Sequence, residues 1–375
     1  MQEVVSLTDI IEEIESRRAK IDGRSADLTV SGVASWVKDG VVELDPDFQR
    51  RDRWDNKRRS QLIESFLMNI PVPPVYLNQE KNAPYTVIDG KQRITAIDQF
   101  INKGMVLADL TLLPMLNGYT YETLPYELKK TLQVEPALRA VIVIPLQSSN
   151  SKEARDDEAT VKYEVFERLN TGGVKLEPQE LRNVTFRGPL NDLIIRLSAD
   201  EFMQNQLKVR PQDDSYKKMK DVEYVLRFFA LQANWKNSSR EIRSILDDFM
   251  RSNNNLKKED LKKLENSYKR MKERAKGIFG VAAFRKWNFR SEEWRDQQNI
   301  AMYDAESIAL DMLSEEEYEL ALQRKDQIVN DVKELFRNNA AFVDAVTKTT
   351  GSRAAITLRI NTIYSLLIGE NISGE

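Results

Sequence analysis

The pattern of hydrophobic and polar positions changes once along the chain. Up to about residue 189, β-branched runs alternate with amphipathic segments, and Leu138–Leu146 is the clearest buried strand. Beyond Pro189, strand signals nearly vanish and amphipathic helical segments follow one another. The pattern therefore predicts an α+β fold. Its predicted parts are an N-terminal helix and linker over 1–28, a domain with a small mixed sheet over 29–189, and an all-α domain over 190–375.

A strand that runs into a glycine and then into a helix is the most informative local feature. The strand is Tyr85–Ile88, and the segment that follows it is Asp89-Gly90-Lys91-Gln92-Arg93. A glycine at such a junction lets the backbone approach a ligand closely, and the first N–H groups of the helix favour an anion. An ordinary turn with an Asp–Arg pair at the surface explains these five residues equally well.

Two further segments carry candidate chemistry. Phe48–Trp54 is dense in arginine, and Lys57, Arg58 and Arg59 follow it, so Trp54 could stack on a base beside a basic surface. The alternative is a solvated helix start with Trp54 in the core. In the other segment, a Gly-Gly turn after Asn170 precedes Glu180, which could coordinate a metal or water. The alternative there is a helix hairpin capped by Asn170.

Composition narrows the function classes. The chain has 375 residues and a formal net charge of −3, so any nucleic-acid binding must come from a local basic surface. It contains neither cysteine nor histidine, which excludes disulfides, histidine-based triads and a working HNH nuclease within this chain. No apolar run approaches the roughly 20 residues that span a bilayer. We therefore expect a cytoplasmic protein without a membrane partner.

The three segments occur together and in order, and as a set they resemble the GmrSD N-terminal domain family, a ParB-like domain of restriction and phage-defence proteins. The resemblance covers roughly residues 30–190. The motifs that carry it are Gln49-Arg50, Trp54, Pro71-Val72-Pro73, Asp89-Gly90-Lys91-Gln92-Arg93, Phe166 to Asn170 with Gly172-Gly173, and Gln179-Glu180-Leu181-Arg182. Lys91 departs from the family pattern, which has glutamine there. Lysine keeps a donor for phosphate, but any role of that glutamine in positioning water is lost.

The resemblance implies a ParB/sulfiredoxin-like fold, in which Gly90 and Arg93 match a phosphate-binding Gly-x-x-Arg segment. It implies a nucleoside triphosphate as the ligand, with hydrolysis and Mg²⁺ as further expectations. Asp89, Gln92 and Glu180 are the candidate catalytic residues, and Asp89 is also the candidate metal ligand. The candidate phosphate-binding residues are Gln49, Arg50, Gly90, Lys91, Arg93 and Asn170. The candidate nucleic-acid-binding residues are Arg51, Arg53, Trp54, Arg58 and Arg59.

Two alternatives to an NTP-hydrolysing defence component remain open. One is a ParB-like, metal-dependent DNA nickase that uses Asp89 and Glu180. The other is a non-enzymatic nucleotide or DNA sensor that acts through a nuclease or other effector encoded nearby. The expected partners are therefore a nucleoside triphosphate, DNA and such an effector protein.

Overall fold

The structure, a computed structural model, describes residues 11–12, 14–15, 21–44, 54–79, 83–145, 163–169, 177–236, 241–297 and 299–370. Contacts divide the chain into two compact units, Met1–Thr185 and Phe186–Glu375. The domain bounds predicted from the sequence stay a prediction beside this division. No helix in the described part of the chain is long and apolar enough to cross a membrane.

A five-stranded mixed sheet organises the first unit. Its strands lie in the order β1-β5-β3-β4-β2. Strand β1 pairs antiparallel with β5, β5 parallel with β3, β3 antiparallel with β4, and β4 parallel with β2. The strands are β1 (Ile21–Thr29), β2 (Val42–Glu43), β3 (Val75–Asn78), β4 (Tyr85–Asp89) and β5 (Pro136–Pro145).

Five helices accompany this sheet, and the sequence explains where two of them begin. Thr29 and Asp55 each accept a backbone N–H of the first helical turn, the usual role of an N-cap residue. The helices are α1 (Val30–Lys38), α2 (Asn56–Leu67), α3 (Lys91–Asn102), α4 (Tyr126–Val134) and α5 (Pro178–Thr185). Residues 163–169 are also helical, and Pro114–Leu116 forms a short 3-10 helix.

Strand β1 was not anticipated. The sequence pattern predicts a linker up to residue 28. In the structure, all of β1 pairs with β5, from Ile21 opposite Pro145 to Thr29 opposite Pro136. The predicted N-terminal helix lies mostly outside the described residues, although residues 11–12 and 14–15 are helical. The apolar faces of α1, α2 and α3 form one buried core with the sheet, which includes Ile63, Ile97 and Phe100.

The second unit is mostly helical. Its helices are α6 (Pro189–Ser198), α7 (Glu201–Leu207), α8 (Asp214–Lys217), α9 (Lys220–Asn234), α10 (Ile242–Asn253), α11 (Lys258–Ile278), α12 (Ile300–Met312), α13 (Glu315–Gln323), α14 (Lys325–Asn338), α15 (Ala340–Thr347) and α16 (Arg353–Ile368). A short antiparallel pair, β6 (Trp287–Asn288) and β7 (Glu293–Trp294), interrupts them. The predicted fold class is confirmed: an α+β part with a small mixed sheet precedes a part that is almost entirely helical.

A buried ion triad ties three helices of the second unit together. Arg227 on α9 donates two hydrogen bonds to the Asp304 carboxylate on α12, at 2.9 and 2.6 Å. Arg359 on α16 donates to the same carboxylate at 2.7 Å. Because all three side chains are buried, each charge depends on the others for its compensation.

Candidate functional site

The junction between β4 and α3 is the centre of the predicted site. Gly90 is the N-cap of α3 with φ 94° and ψ 11°, in the left-handed region, and it has no side chain with which to cap the helix. A Cβ at this position would lie 2.4 Å from Val75 Cγ1 on the neighbouring strand β3. Glycine is therefore required both by the backbone conformation and by the close approach of β3. The result is a helix N-terminus that begins at a residue without a side chain.

Asp89 and Arg93 form a pair below this turn. Arg93 Nη2 donates to Asp89 Oδ2 at 2.9 Å and to the Pro74 carbonyl at 3.2 Å. The two side chains are only 8% and 10% exposed, so the pair is buried and is not the surface pair of the alternative interpretation. Since Arg93 also reaches the chain just before β3, the guanidinium joins the turn to the sheet.

Gln92 brings a second predicted segment to the turn. Its Oε1 accepts a hydrogen bond from the backbone N–H of Trp54, at 3.2 Å. Trp54 is half-buried against the core, and the Arg58 guanidinium lies 5.8 Å from its ring centroid. Arg58 is exposed and Arg59 is half-buried, so the start of α2 presents a cation beside the turn.

Glu180 lies in the first turn of α5 and is buried. Its Oε2 accepts the backbone N–H of Glu177 at 2.7 Å, which places the carboxylate at the N-terminus of its own helix. Buried neighbours on the same helix are linked as well, since Gln179 donates to Asn183 at 2.8 Å and Arg182 donates to Gln179 at 3.2 Å. This hydrogen bond of Glu180 is thus a helix-capping interaction.

Comparison with protein families connects these elements. Residues 33–187, less than half of the chain, match the family model of the GmrSD restriction endonuclease, N-terminal domain. This part of the chain is a GmrSD N-terminal domain. The match confirms the resemblance that the sequence motifs indicate. Neither the search of curated proteins nor the search of solved structures found a match.

Within the GmrSD N-terminal domain, the structure brings together Trp54, Asp89, Gly90, Gln92 and Arg93. Lys91 occupies the first position of α3, and its side chain is half-buried. The remaining candidates of the basic and Gly-Gly segments lie outside the described residues; they are Gln49, Arg50, Arg51, Arg53 and Asn170.

The candidate metal ligands of the GmrSD N-terminal domain are each held by a protein contact. Asp89 Oδ2 is bound to Arg93, and Glu180 Oε2 is bound to a backbone N–H. Among the described residues, no group of three or more acidic side chains is arranged to hold a metal ion. No hydrogen bond from a described residue reaches Asp89 Oδ1.

Pro74 and Val75 were not anticipated as parts of the site. Pro74 supplies the carbonyl that orients Arg93, and Val75 closes the space above Gly90. The sequence signal was the proline run before β3, because Pro73 and Pro74 fix an extended chain that carries this carbonyl to the turn. The pairing of β3 with β4 then determines which residue faces the glycine, and the sequence does not show that pairing.

Proposed function

We propose that this GmrSD N-terminal domain binds a nucleoside triphosphate at the Gly90 turn. The observation that carries the proposal is the N-terminus of α3, which begins at a left-handed glycine where no side chain fits. Backbone N–H groups and the positive end of the helix dipole favour a phosphate at such a place. A twelve-residue helix is long enough to develop that dipole.

The phosphate contacts follow from this placement. The N–H groups of Lys91 and Gln92 donate to phosphate oxygens, and the Lys91 ammonium adds a charge at the helix start. Arg93 donates hydrogen bonds to Asp89 and to the Pro74 carbonyl, so its main role is to stabilise the left-handed turn. Trp54, through its bond to Gln92, connects the start of α2 to the same turn.

Hydrolysis is the further step of the proposal. Asp89 would hold Mg²⁺, which would supply charge neutralisation at the phosphates and polarisation of the attacking water. Gln92 and Glu180 remain the candidates for orienting that water. Lys91 replaces the family glutamine here, so we expect nucleotide binding to be well preserved and turnover to be slow.

The biological role that fits is that of a component of a prokaryotic DNA restriction or phage-defence system. The family match supports this role, because the model is that of a restriction endonuclease domain. DNA is then a partner of the system, and a nuclease or other effector encoded nearby is a second partner. Arg58, exposed beside Trp54, is the described residue best placed for contact with a DNA backbone.

Isothermal titration with ATP, GTP, CTP and UTP, with and without Mg²⁺, tests the proposal. We expect one of these to bind, and Lys91→Ala to weaken it about tenfold because a charge-assisted contact is lost. Lys130→Ala, at an exposed position of α4, is the matched control and should bind like the wild type. Absence of heat for all four nucleotides, or equal weakening by both variants, would refute the site. Phosphate release in the same samples measures turnover.

A further inference from the structure

A short hairpin with exposed aromatic side chains projects from the sequence of helices in the second unit. Strands β6 and β7 pair Trp287 with Trp294 and Asn288 with Glu293. The backbone N–H of Arg295 donates to the Lys286 carbonyl at 2.8 Å and closes the base of the hairpin. We call residues 286–295 the aromatic hairpin. A two-stranded hairpin is marginal by itself, so its shape depends on the packing of β6 against α14.

The aromatic side chains of this hairpin are only partly covered. The rings of Trp287 and Trp294 lie 5.1 Å apart at an interplanar angle of 66°, and both side chains are half-buried. Phe289, in the turn at the tip, is 49% exposed. Leaving large aromatic surface in water forgoes free energy that burial would provide, and such surface on a soluble unit marks a place of contact.

Two cations lie over these rings, and two more lie at the base of the hairpin. Lys333 Nζ lies 4.8 Å from the Trp287 ring centroid, and the Arg290 guanidinium lies 5.9 Å from that of Phe289. Lys286 is close to Arg295, and burial together with this neighbouring charge lowers the pKa of Lys286. Within the described part of the chain, none of these four cations forms an ion pair. Cations that form no ion pair favour an anionic ligand.

Three carboxylates lie in or beside the hairpin: Glu292, which is exposed in the turn, Glu293 and Asp296. Asp296 accepts an ion pair from Lys208 at 2.7 Å and lies 3.6 Å from Arg285. Glu293 accepts a hydrogen bond from the Ser291 hydroxyl at 3.0 Å, on the turn side of the hairpin. In the described part of the chain, none of these carboxylates forms an ion pair with Lys333 or Arg290, the cations that lie on the aromatic rings.

We propose that the aromatic hairpin binds single-stranded nucleic acid. Unpaired bases stack on Phe289 and on the exposed faces of the tryptophans, and the phosphates contact Lys286, Arg290 and Arg295. Alternation of aromatic faces with cations is the chemistry that single strands require, because every base has a face for stacking and every linkage carries a charge. A duplex hides its base faces, and an acidic protein surface would use the cations but leave the rings unused.

Fluorescence anisotropy with a fluorescein-labelled oligothymidylate, the full chain and its variants tests this proposal. We expect Phe289→Ala to weaken binding about tenfold. The double variant Arg290→Gln and Arg295→Gln should reduce the slope of log affinity against log salt by about 1.4, since each single-strand phosphate contact contributes about 0.7. Matched controls are Val281→Ala, which changes an exposed apolar residue, and Lys276→Gln with Lys325→Gln, which removes two exposed charges.

Competition distinguishes the ligand classes. A duplex of the same length and polyglutamate should displace the labelled strand much less well than an unlabelled strand does. Equal displacement by polyglutamate, with no effect of Phe289→Ala, would assign the hairpin to an acidic protein and overturn the proposal. The proposal is also overturned if the wild type binds no single strand at low salt, or if the hairpin variants and the control variants bind with equal affinity. Circular dichroism of each variant confirms its fold, and nucleotide titration should be unchanged, so this outcome is independent of the Gly90 site.

Discussion

Substitution of Gly90 by alanine tests the geometry on which the site rests. The backbone at Gly90 has φ 94°, and an added Cβ would lie 2.4 Å from Val75 Cγ1 and 3.0 Å from Val75 Cβ. Gly104 provides a matched control in the same unit, because its φ is +69° and an added Cβ would meet nothing within 4 Å. The two substitutions therefore share the backbone strain and differ in the steric contact.

The expected magnitudes follow from these two terms. Placing an L-residue in the left-handed region costs roughly 1–2 kcal/mol, and reduced freedom of the unfolded chain returns about 0.4–1 kcal/mol. We therefore expect Gly104→Ala to destabilise by about 1 kcal/mol. Gly90→Ala carries the same terms plus overpacking against the buried Val75, typically 1–3 kcal/mol, for a total of about 2–4 kcal/mol.

A double-mutant cycle isolates the contact with Val75. Val75→Ala alone should destabilise, because it removes buried methyl groups from β3. In the Gly90→Ala background, however, the smaller side chain makes room for the new Cβ. The double variant should therefore lose about 1–2 kcal/mol less than the sum of the single variants. Urea unfolding, with hydrogen exchange in β3 and β4 to follow the first unit separately, measures each free energy.

Two outcomes would refute this reasoning. If Gly90→Ala were no more destabilising than Gly104→Ala, the close approach of β3 would not constrain the turn. If the losses in the double variant simply added, the contact would not involve Val75. Either result would remove the packing argument for a side-chain-free helix start.

Two further predictions concern buried carboxylates. Burial raises the pKa of Glu306 well above its usual value, so the stability that its protonated form contributes is present at acid pH and lost as pH rises above that usual value. Glu306→Gln, which keeps the acceptor for the Phe284 N–H, should match the wild type in urea unfolding at acid pH and exceed it at alkaline pH; a constant difference would contradict this. Glu64→Ala should destabilise the first unit by roughly 2–4 kcal/mol in the same assay, because the N–H groups of Leu112 and Leu113, now at 2.7 and 2.6 Å, lose their acceptor. Unchanged stability would show that water replaces the carboxylate.

The strand–glycine–helix unit could be predicted because local chemistry determines it. Thr86, Val87 and Ile88 are β-branched and buried, Gly90 permits the left-handed turn, and apolar residues then recur at helical spacing. The family motifs occur in order over most of the first unit, and they therefore predicted that these segments belong to one domain. Here local preference and tertiary structure agree, which is why the sequence pattern was sufficient.

Strand β1 could not be predicted for the opposite reason. Its sequence contains Gly23, Arg24, Ser25 and Asp27, which have little strand preference. The strand exists because β5 offers a complete antiparallel partner, and Arg139 on β5 contacts Asp27 at 2.9 Å. Tertiary pairing overrides local preference at this sheet edge.

The sequence predicted which residues belong to the candidate site, but it did not predict the contacts between them. That Asp89 and Arg93 are four residues apart suggested a pair, but only the packing of β3 makes it a buried one. The contact of Trp54 with Gln92 joins residues 38 positions apart, and no local pattern indicates it. Similarly, β6 and β7 have too few residues for an alternating hydrophobic pattern to be recognised. The aromatic hairpin is therefore visible in the structure but not in the sequence.

The most direct test of the central claim is the NMR response of individual backbone amides to nucleotide. If phosphate binds at the start of α3, the amide protons of Lys91 and Gln92 should shift downfield when the bound nucleotide is added. The amide of Lys130, on α4, should not move. Binding of a nucleotide with the Lys91 and Gln92 amides unchanged would contradict the assignment of the Gly90 turn as the phosphate site.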